Sequence, residues 1–94
     1  MKRELTKFQI ACEERLATAV EKAGQRVVNR RLDGNTQTYV TGEIEGLGVK
    51  FWIYSDMADF DAPGGGRVFE RPDYDSPDDL AEDFIEALVA ATRS

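Results

Sequence analysis

Seven aspartates between positions 56 and 79 form the densest group of potentially reactive side chains in this 94-residue chain: Asp56, Asp59, Asp61, Asp73, Asp75, Asp78 and Asp79. Clustered carboxylates are the donor set of hard cations such as calcium and magnesium. The spacing does not suit a helix-loop-helix calcium loop, which wants oxygen ligands at alternating positions, glycine at the sixth and glutamate at the twelfth. In the run Asp59-Phe60-Asp61-Ala62-Pro63-Gly64, proline takes the third ligand position. Solvation and helix capping account for the same acids without a metal, and no metal or cofactor is expected. Gly64-Gly65-Gly66-Arg67 offers backbone amides and a guanidinium to an anion. It lacks the Lys-Ser/Thr of a P-loop and a following helix, and the carboxylates beside it repel phosphate.

The other candidate groups form no catalytic set. Histidine is absent, which removes the ordinary zinc sites and every histidine-based triad. The single cysteine, Cys12, rules out an internal disulfide framework. It falls within an apolar helical stripe, the setting of an inert buried thiol. No spaced acid-base or nucleophile group is present, so the chain reads as non-catalytic. Tyr39, Trp52 and Tyr54 are a different kind of candidate, because Tyr and Trp are enriched where protein partners bind tightly.

Period and turn chemistry define the elements that must position these groups. Residues 3 to 23 carry Leu5, Phe8, Cys12, Leu16, Ala19, Val20 and Ala23 at spacings of three and four, which predicts an amphipathic helix ended by Gly24, with Ile10 toward solvent. The period then becomes two. Val28, Arg30 and Leu32 share one phase of a strand that closes at the turn formers Asp33-Gly34-Asn35-Thr36. A second strand over Thr38 to Ile44 and a third over Val49 to Tyr54 flank Glu45-Gly46-Leu47-Gly48.

Pairing residues whose numbers total 93 sets Ile44 opposite Val49, Gly42 opposite Phe51 and Val40 opposite Ile53 on one apolar face. The other face then holds Glu43 opposite Lys50, Thr41 opposite Trp52 and Tyr39 opposite Tyr54. Residues 55 to 66 read as an acidic, glycine-rich loop, mobile at its glycines. Arg67 to Glu70 has the length of a short fourth strand before Pro72. Ser76-Pro77-Asp78-Asp79 then announces a final helix, with serine as N-cap and proline at the first position, whose buried stripe is Leu80, Ala81, Phe84, Ile85 and Leu88.

The expected fold is thus a single α+β domain over residues 1 to 94. It comprises a helix, a three-stranded antiparallel meander with room for a short fourth strand, and a C-terminal helix, with both helices on one sheet face. Placing one helix on each face is the alternative, and it would bury Tyr39, Trp52 and Tyr54. The longest apolar run, Ala87 to Ala91, is far below the roughly 18 residues of a membrane span. Met1-Lys2-Arg3 leads into Glu4 and not into a signal-peptide core, so a cytoplasmic, non-membrane protein is expected.

Charge points outward. Twelve basic against eighteen acidic residues give a net charge of -6, which argues against direct nucleic-acid binding through phosphates and favours a partner with a basic surface. Residues 1 to 33 carry eight basic and five acidic groups, and residues 34 to 94 carry four and thirteen. In size, acidity, cysteine poverty and open sheet, the chain resembles immunity proteins and phage-encoded inhibitors such as anti-CRISPR proteins. That resemblance lies in general properties, carries no residue by position, and implies a protein that blocks a basic site with ordered carboxylates. The expected function is a small acidic protein-binding module of the inhibitor type. Tyr39, Trp52 and Tyr54 serve as anchors and Asp56, Asp59, Asp61, Asp73 and Asp75 steer the partner. The alternative is a small-ligand or divalent-metal-binding domain centred on the acidic loop.

Overall fold

Thr6 and Gln9 decide where the first helix starts. In the computed structural model, which describes residues 4–34 and 38–93, Thr6 is the N-cap of helix α1 (Lys7–Lys22). The Gln9 backbone N–H donates to Thr6 Oγ1 at 3.2 Å, and the Thr6 N–H donates to Gln9 Oε1 at 2.8 Å. This reciprocal capping box satisfies two amide donors that an uncapped helix start leaves open. It places the start four residues later than the apolar period alone indicates. At the other end, Gly24 takes φ +84°, its N–H donates to the Glu21 carbonyl, and the Gln25 N–H donates to that of Val20. This pair of bonds is the helix stop that a positive-φ glycine permits.

Five strands follow: β1 (Val27–Asp33), β2 (Tyr39–Ile44), β3 (Val49–Ile53), β4 (Met57–Asp61) and β5 (Arg67–Glu70). A 3-10 turn at Arg71–Asp73 leads to helix α2 (Pro77–Thr92). The strands make one antiparallel sheet in chain order, so every connection within it is a hairpin. The β2–β3 register matches the expectation at all five pairs, from Val40 opposite Ile53 to Ile44 opposite Val49. Helix α2 also starts as its sequence states: Ser76 Oγ accepts from the Asp79 N–H at 3.2 Å, and Leu80, Ala81, Phe84, Ile85 and Leu88 are buried.

Three sequence expectations are corrected. The loop expected over residues 55 to 66 contains β4, so the sheet has five strands and not three or four. Ala58 and Phe60 of β4 face the core while Met57, Asp59 and Asp61 alternate outward. Aspartate is poorly represented in strands, and its weight in this segment hides the period of two. Only Ser55-Asp56 and the Ala62–Gly66 segment remain as turns. In the first, the Tyr54 N–H donates to the Met57 carbonyl at 2.8 Å; in the second, the Gly65 N–H donates to that of Ala62 at 2.9 Å.

Strand β1 does not keep Val28, Arg30 and Leu32 in one phase. A bulge between Val28 and Arg31, with Asn29 at φ +55°, shifts the register. Val28 lies opposite Glu43 on the outer face, while Leu32 lies opposite Val40 in the inner phase. Arg30 reaches α1, where its Nε and Nη2 donate to the two carboxylate oxygens of Glu13 at 2.7 and 2.9 Å. The third correction is the later start of α1. Of the expected β1–β2 turn, Asn35 and Thr36 lie outside the described residues, as do Met1, Lys2 and Arg3.

Both helices pack on one side of the sheet, α1 over β2 and β3 and α2 over β4 and β5. Between the layers lies one core built from Cys12, Leu16 and Val20 of α1, the inner phases of β2 to β5, and Leu80, Phe84 and Leu88 of α2. Phe51 is fully buried at its centre. Its ring occupies the space a side chain at position 42 would need, since a Cβ on Gly42 would stand 2.7 Å from the Phe51 ring. Phe60, Phe69 and Phe84 stack beside it, with Phe69 and Phe84 edge to face at 5.8 Å. No helix among the described residues is long and apolar enough to cross a membrane.

Candidate functional site

No helix among the described residues lies on the outer face of the sheet, and the strand registers set its side chains in three cross-strand rows. Arg31, Thr41, Trp52, Asp59 and Val68 run through all five strands in one row. Asp33 and Tyr39 form a second row that continues to Tyr54, with Met57 opposite Glu70 at its far end. Val28, Glu43, Lys50 and Asp61 form the third.

Aromatic groups occupy the middle of this surface. The Tyr39 and Tyr54 rings lie 4.8 Å apart and tilted by 36°. Trp52 stands beside them on β3, two residues from Tyr54, above Thr41, whose hydroxyl is turned inward to donate to the Phe51 carbonyl at 2.9 Å. Tyr39, Trp52 and Tyr54 are all partly exposed, and Val68 at the edge is 57% exposed. Their side chains stay solvated because β-strand alternation sends every second residue away from the helices.

Asp59 is the unusual member. It lies directly across from Trp52, and its Oδ1 is buried with no hydrogen-bond partner among the described residues. Burial raises its carboxyl above the ordinary value. The Tyr54 hydroxyl is raised as well, first by burial and then by the charge of Asp59 and by Tyr39. Other charges nearby already have partners: Lys50 Nζ is 3.7 Å from Glu43, and Arg31 is 3.7 Å from Asp33. Asn29 of the bulge donates to Glu43.

The structure divides the sequence-selected acids. Asp59 and Asp61 stand on the outer face with Tyr39, Trp52 and Tyr54. Asp56 sits in the β3–β4 turn, where its carbonyl accepts from the Arg71 N–H at 3.1 Å. Asp73 and Asp75 line a shallow crevice with Asp79, Glu82 and Asp83 around Tyr74, away from the aromatic rows. The Tyr74 hydroxyl donates to Asp83 at 2.9 Å within it. Among the described residues, no three Cys, Asp or Glu side chains converge to hold a metal ion. Asp59 and Asp61 share the outer face of β4, while Asp56 and the crevice acids lie on other elements.

Two outer-face residues are not among those selected from the sequence: Met57, whose strand is hidden in an acidic stretch, and Val68, which lies on the short strand that was expected over Arg67 to Glu70 and is present as β5. The period Met57-Ala58-Asp59-Phe60-Asp61 is the signal that exposes the first of these strands. Gln9, which fastens α1 to the sheet, also escapes it, although the Thr6-x-x-Gln9 spacing of a capping box is present in the sequence. Cys12 is 1% exposed, and burial pushes its thiol up to about 12, the state of a packing residue. No family model matches the chain, and neither a curated protein nor a solved structure matches it significantly.

Proposed function

We propose that the protein is a small non-catalytic binding module that docks a protein with a basic surface on the outer face of its sheet. One observation carries this reading: Tyr39, Trp52 and Tyr54 share a face that no helix covers, with Met57 and Val68 beside them. Partly exposed aromatics ringed by polar groups match the anatomy of interface anchors. Glu43, Asp59, Asp61 and Glu70 outnumber Arg31 and Lys50 on the same rows, and the whole chain carries -6. Such a field speeds encounter with a cationic partner and repels polyanions. An inhibitor or immunity role fits this chemistry, because a basic active-site cleft is a surface that ordered carboxylates can occlude. The geometry offers no comparable support to the divalent-cation alternative, whose aspartates are distributed between a turn, a strand face and a crevice.

The test is a capture experiment with matched variants. A specific partner retained by the wild-type protein should be lost by Trp52→Ala and kept by Asp73→Asn/Asp75→Asn, whose carboxylates lie off the face. Capture that ignores Trp52→Ala, or the absence of any specific partner at low salt, overturns the assignment. Calorimetric titration with calcium and magnesium covers the alternative, which would require saturable heat lost in Asp59→Ala.

A further inference from the structure

Three surfaces carry enough chemistry to be weighed: the groove between α1 and α2, the acidic crevice around Tyr74, and the ground between Trp52 and Asp59. In the inter-helix groove, Glu14, Glu82 and Glu86 are balanced by Arg15, Lys22 and Arg93 around Ile85 and Val89, so nothing there selects an occupant. The crevice is a group of acids whose tyrosine already donates to Asp83. The third surface differs because it combines flat π faces with a half-buried carboxylate, one oxygen of which, Asp59 Oδ1, is buried with no donor among the described residues.

We infer that this ground, bounded by Tyr54, Trp52 and Asp59, is a seat for an arginine side chain of the partner protein. The assignment rests on the outer-face reading given above and names the chemistry of its occupant. The structure places a negative group directly across from Trp52 on the neighbouring strand. Five basic side chains of the described residues are engaged in ion pairs elsewhere: Arg15 with Asp78, Arg26 with Glu45, Arg30 with Glu13, Arg31 with Asp33 and Lys50 with Glu43. Arg67 stands 4.8 Å over the Phe69 ring, in the opposite phase of β5 from Val68. A cation supplied from outside is what the position lacks.

Arginine suits it better than lysine. A guanidinium is planar, weakly hydrated and able to stack on an indole or phenol ring while its edge donates to a carboxylate. An ammonium is a compact, strongly hydrated point charge and gains less from the flat faces. A second copy of this chain is a poorer occupant, since two molecules of charge -6 would press Asp59 and Asp61 toward their own counterparts.

The experiment uses the full chain, isotopically labelled, titrated with a short arginine-glycine peptide and with otherwise identical lysine and citrulline peptides. Saturable shifts of the Trp52 indole N–H and the Asp59 amide are expected with arginine. Binding should weaken severalfold with lysine and vanish with citrulline, and Asp59→Asn should weaken the arginine peptide about tenfold, the scale of one charge-assisted contact. Asparagine keeps the shape of the side chain and removes the uncompensated charge, and the β2–β3 amide shifts report whether the variant keeps its fold.

Equal affinity in Asp59→Asn, equal affinity for lysine, or shifts centred on Glu82, Asp83 and Glu86 of α2 would overturn the assignment. So would a dimer of the free protein that Trp52→Ala dissociates. A captured partner lost by Trp52→Ala and held at full affinity by Asp59→Asn removes the arginine seat and keeps the docking face, whereas capture indifferent to Trp52→Ala removes both.

Discussion

Replacing Gln9 with leucine tests how the start of α1 is fastened to the sheet. Gln9 is 1% exposed, and its side chain does three jobs. Its Oε1 accepts from the Thr6 N–H at 2.8 Å, and its Nε2 donates to the carbonyls of Thr38 at 2.8 Å and Ile53 at 3.1 Å. One amide group therefore closes the helix cap and ties it to the neighbouring ends of β2 and β3. Leucine is of similar size, so the substitution removes the bonds with little change in packing volume. Each bond contributes about 0.5 to 1.5 kcal/mol net, and a buried carbonyl left without a donor costs about 1 to 3 kcal/mol.

A loss of about 2 to 4 kcal/mol is expected, a large share of the roughly 5 to 15 kcal/mol that holds a domain together. At about 4 to 8 °C per kcal/mol for a domain of this size, the melting temperature should fall by about 10 °C or more. Urea unfolding followed by Trp52 emission and by far-ultraviolet circular dichroism measures it. Thr6→Ala provides the comparison, because it removes only the N-cap hydroxyl and should cost about 0.5 to 2 kcal/mol. The double variant should lose less than the two single losses added, since both act on one cap. The reasoning is refuted if Gln9→Leu is as stable as the parent, or if Thr6→Ala costs more than Gln9→Leu.

Phe51→Ala should cost about 3 to 5 kcal/mol and Lys50→Ala only about 0.2 to 1 kcal/mol, because one empties the centre of the core and the other releases an exposed pair with Glu43; matching denaturation midpoints would mean the inward phase is misassigned. Gly42→Ala should destabilise by about 1 to 3 kcal/mol, as its methyl would enter the Phe51 ring, and Phe51→Leu should recover part of that loss in the double variant. The carboxyl of Asp59 titrates above its ordinary value in the folded state, so the native protein holds a proton that the unfolded chain releases, and stability falls as pH rises through that window. Above that window the ionised group carries its full cost. Asp59→Asn should therefore melt higher than the parent there, with the gap closing toward about pH 3; a gap that does not change with pH would contradict this account.

Local signals determined much of this protein. The Ser76-Pro77 start of α2 and its five buried positions follow from capping chemistry and a 3.6-residue period, both of which act within a few residues. The β2–β3 register follows from a short turn and strict alternation, which leave one pairing that buries Val40, Ile44, Val49, Phe51 and Ile53 together. Strand β4 was not legible in the same way, because Asp59 and Asp61 argue locally against a strand and are tolerated only where the outer face is open to water. The bulge in β1 was hidden too: Asn29 turns to positive φ, and Arg30 swings to Glu13, a residue seventeen positions away.

For the outer face, the sequence determined which side chains of β2 and β3 alternate outward and that Tyr39, Trp52 and Tyr54 are neighbours. Which layer covers that face depends on where α2 returns after β5, a long-range choice made by the fit of Leu80, Phe84 and Leu88 against Phe60 and Phe69. Only the tertiary structure could decide that both helices take the same side. The same decision leaves the outer face without a helix, while the burial of Asp59 Oδ1 with no donor among the described residues is set by its cross-strand neighbours Trp52 and Val68, which no local stretch of sequence specifies.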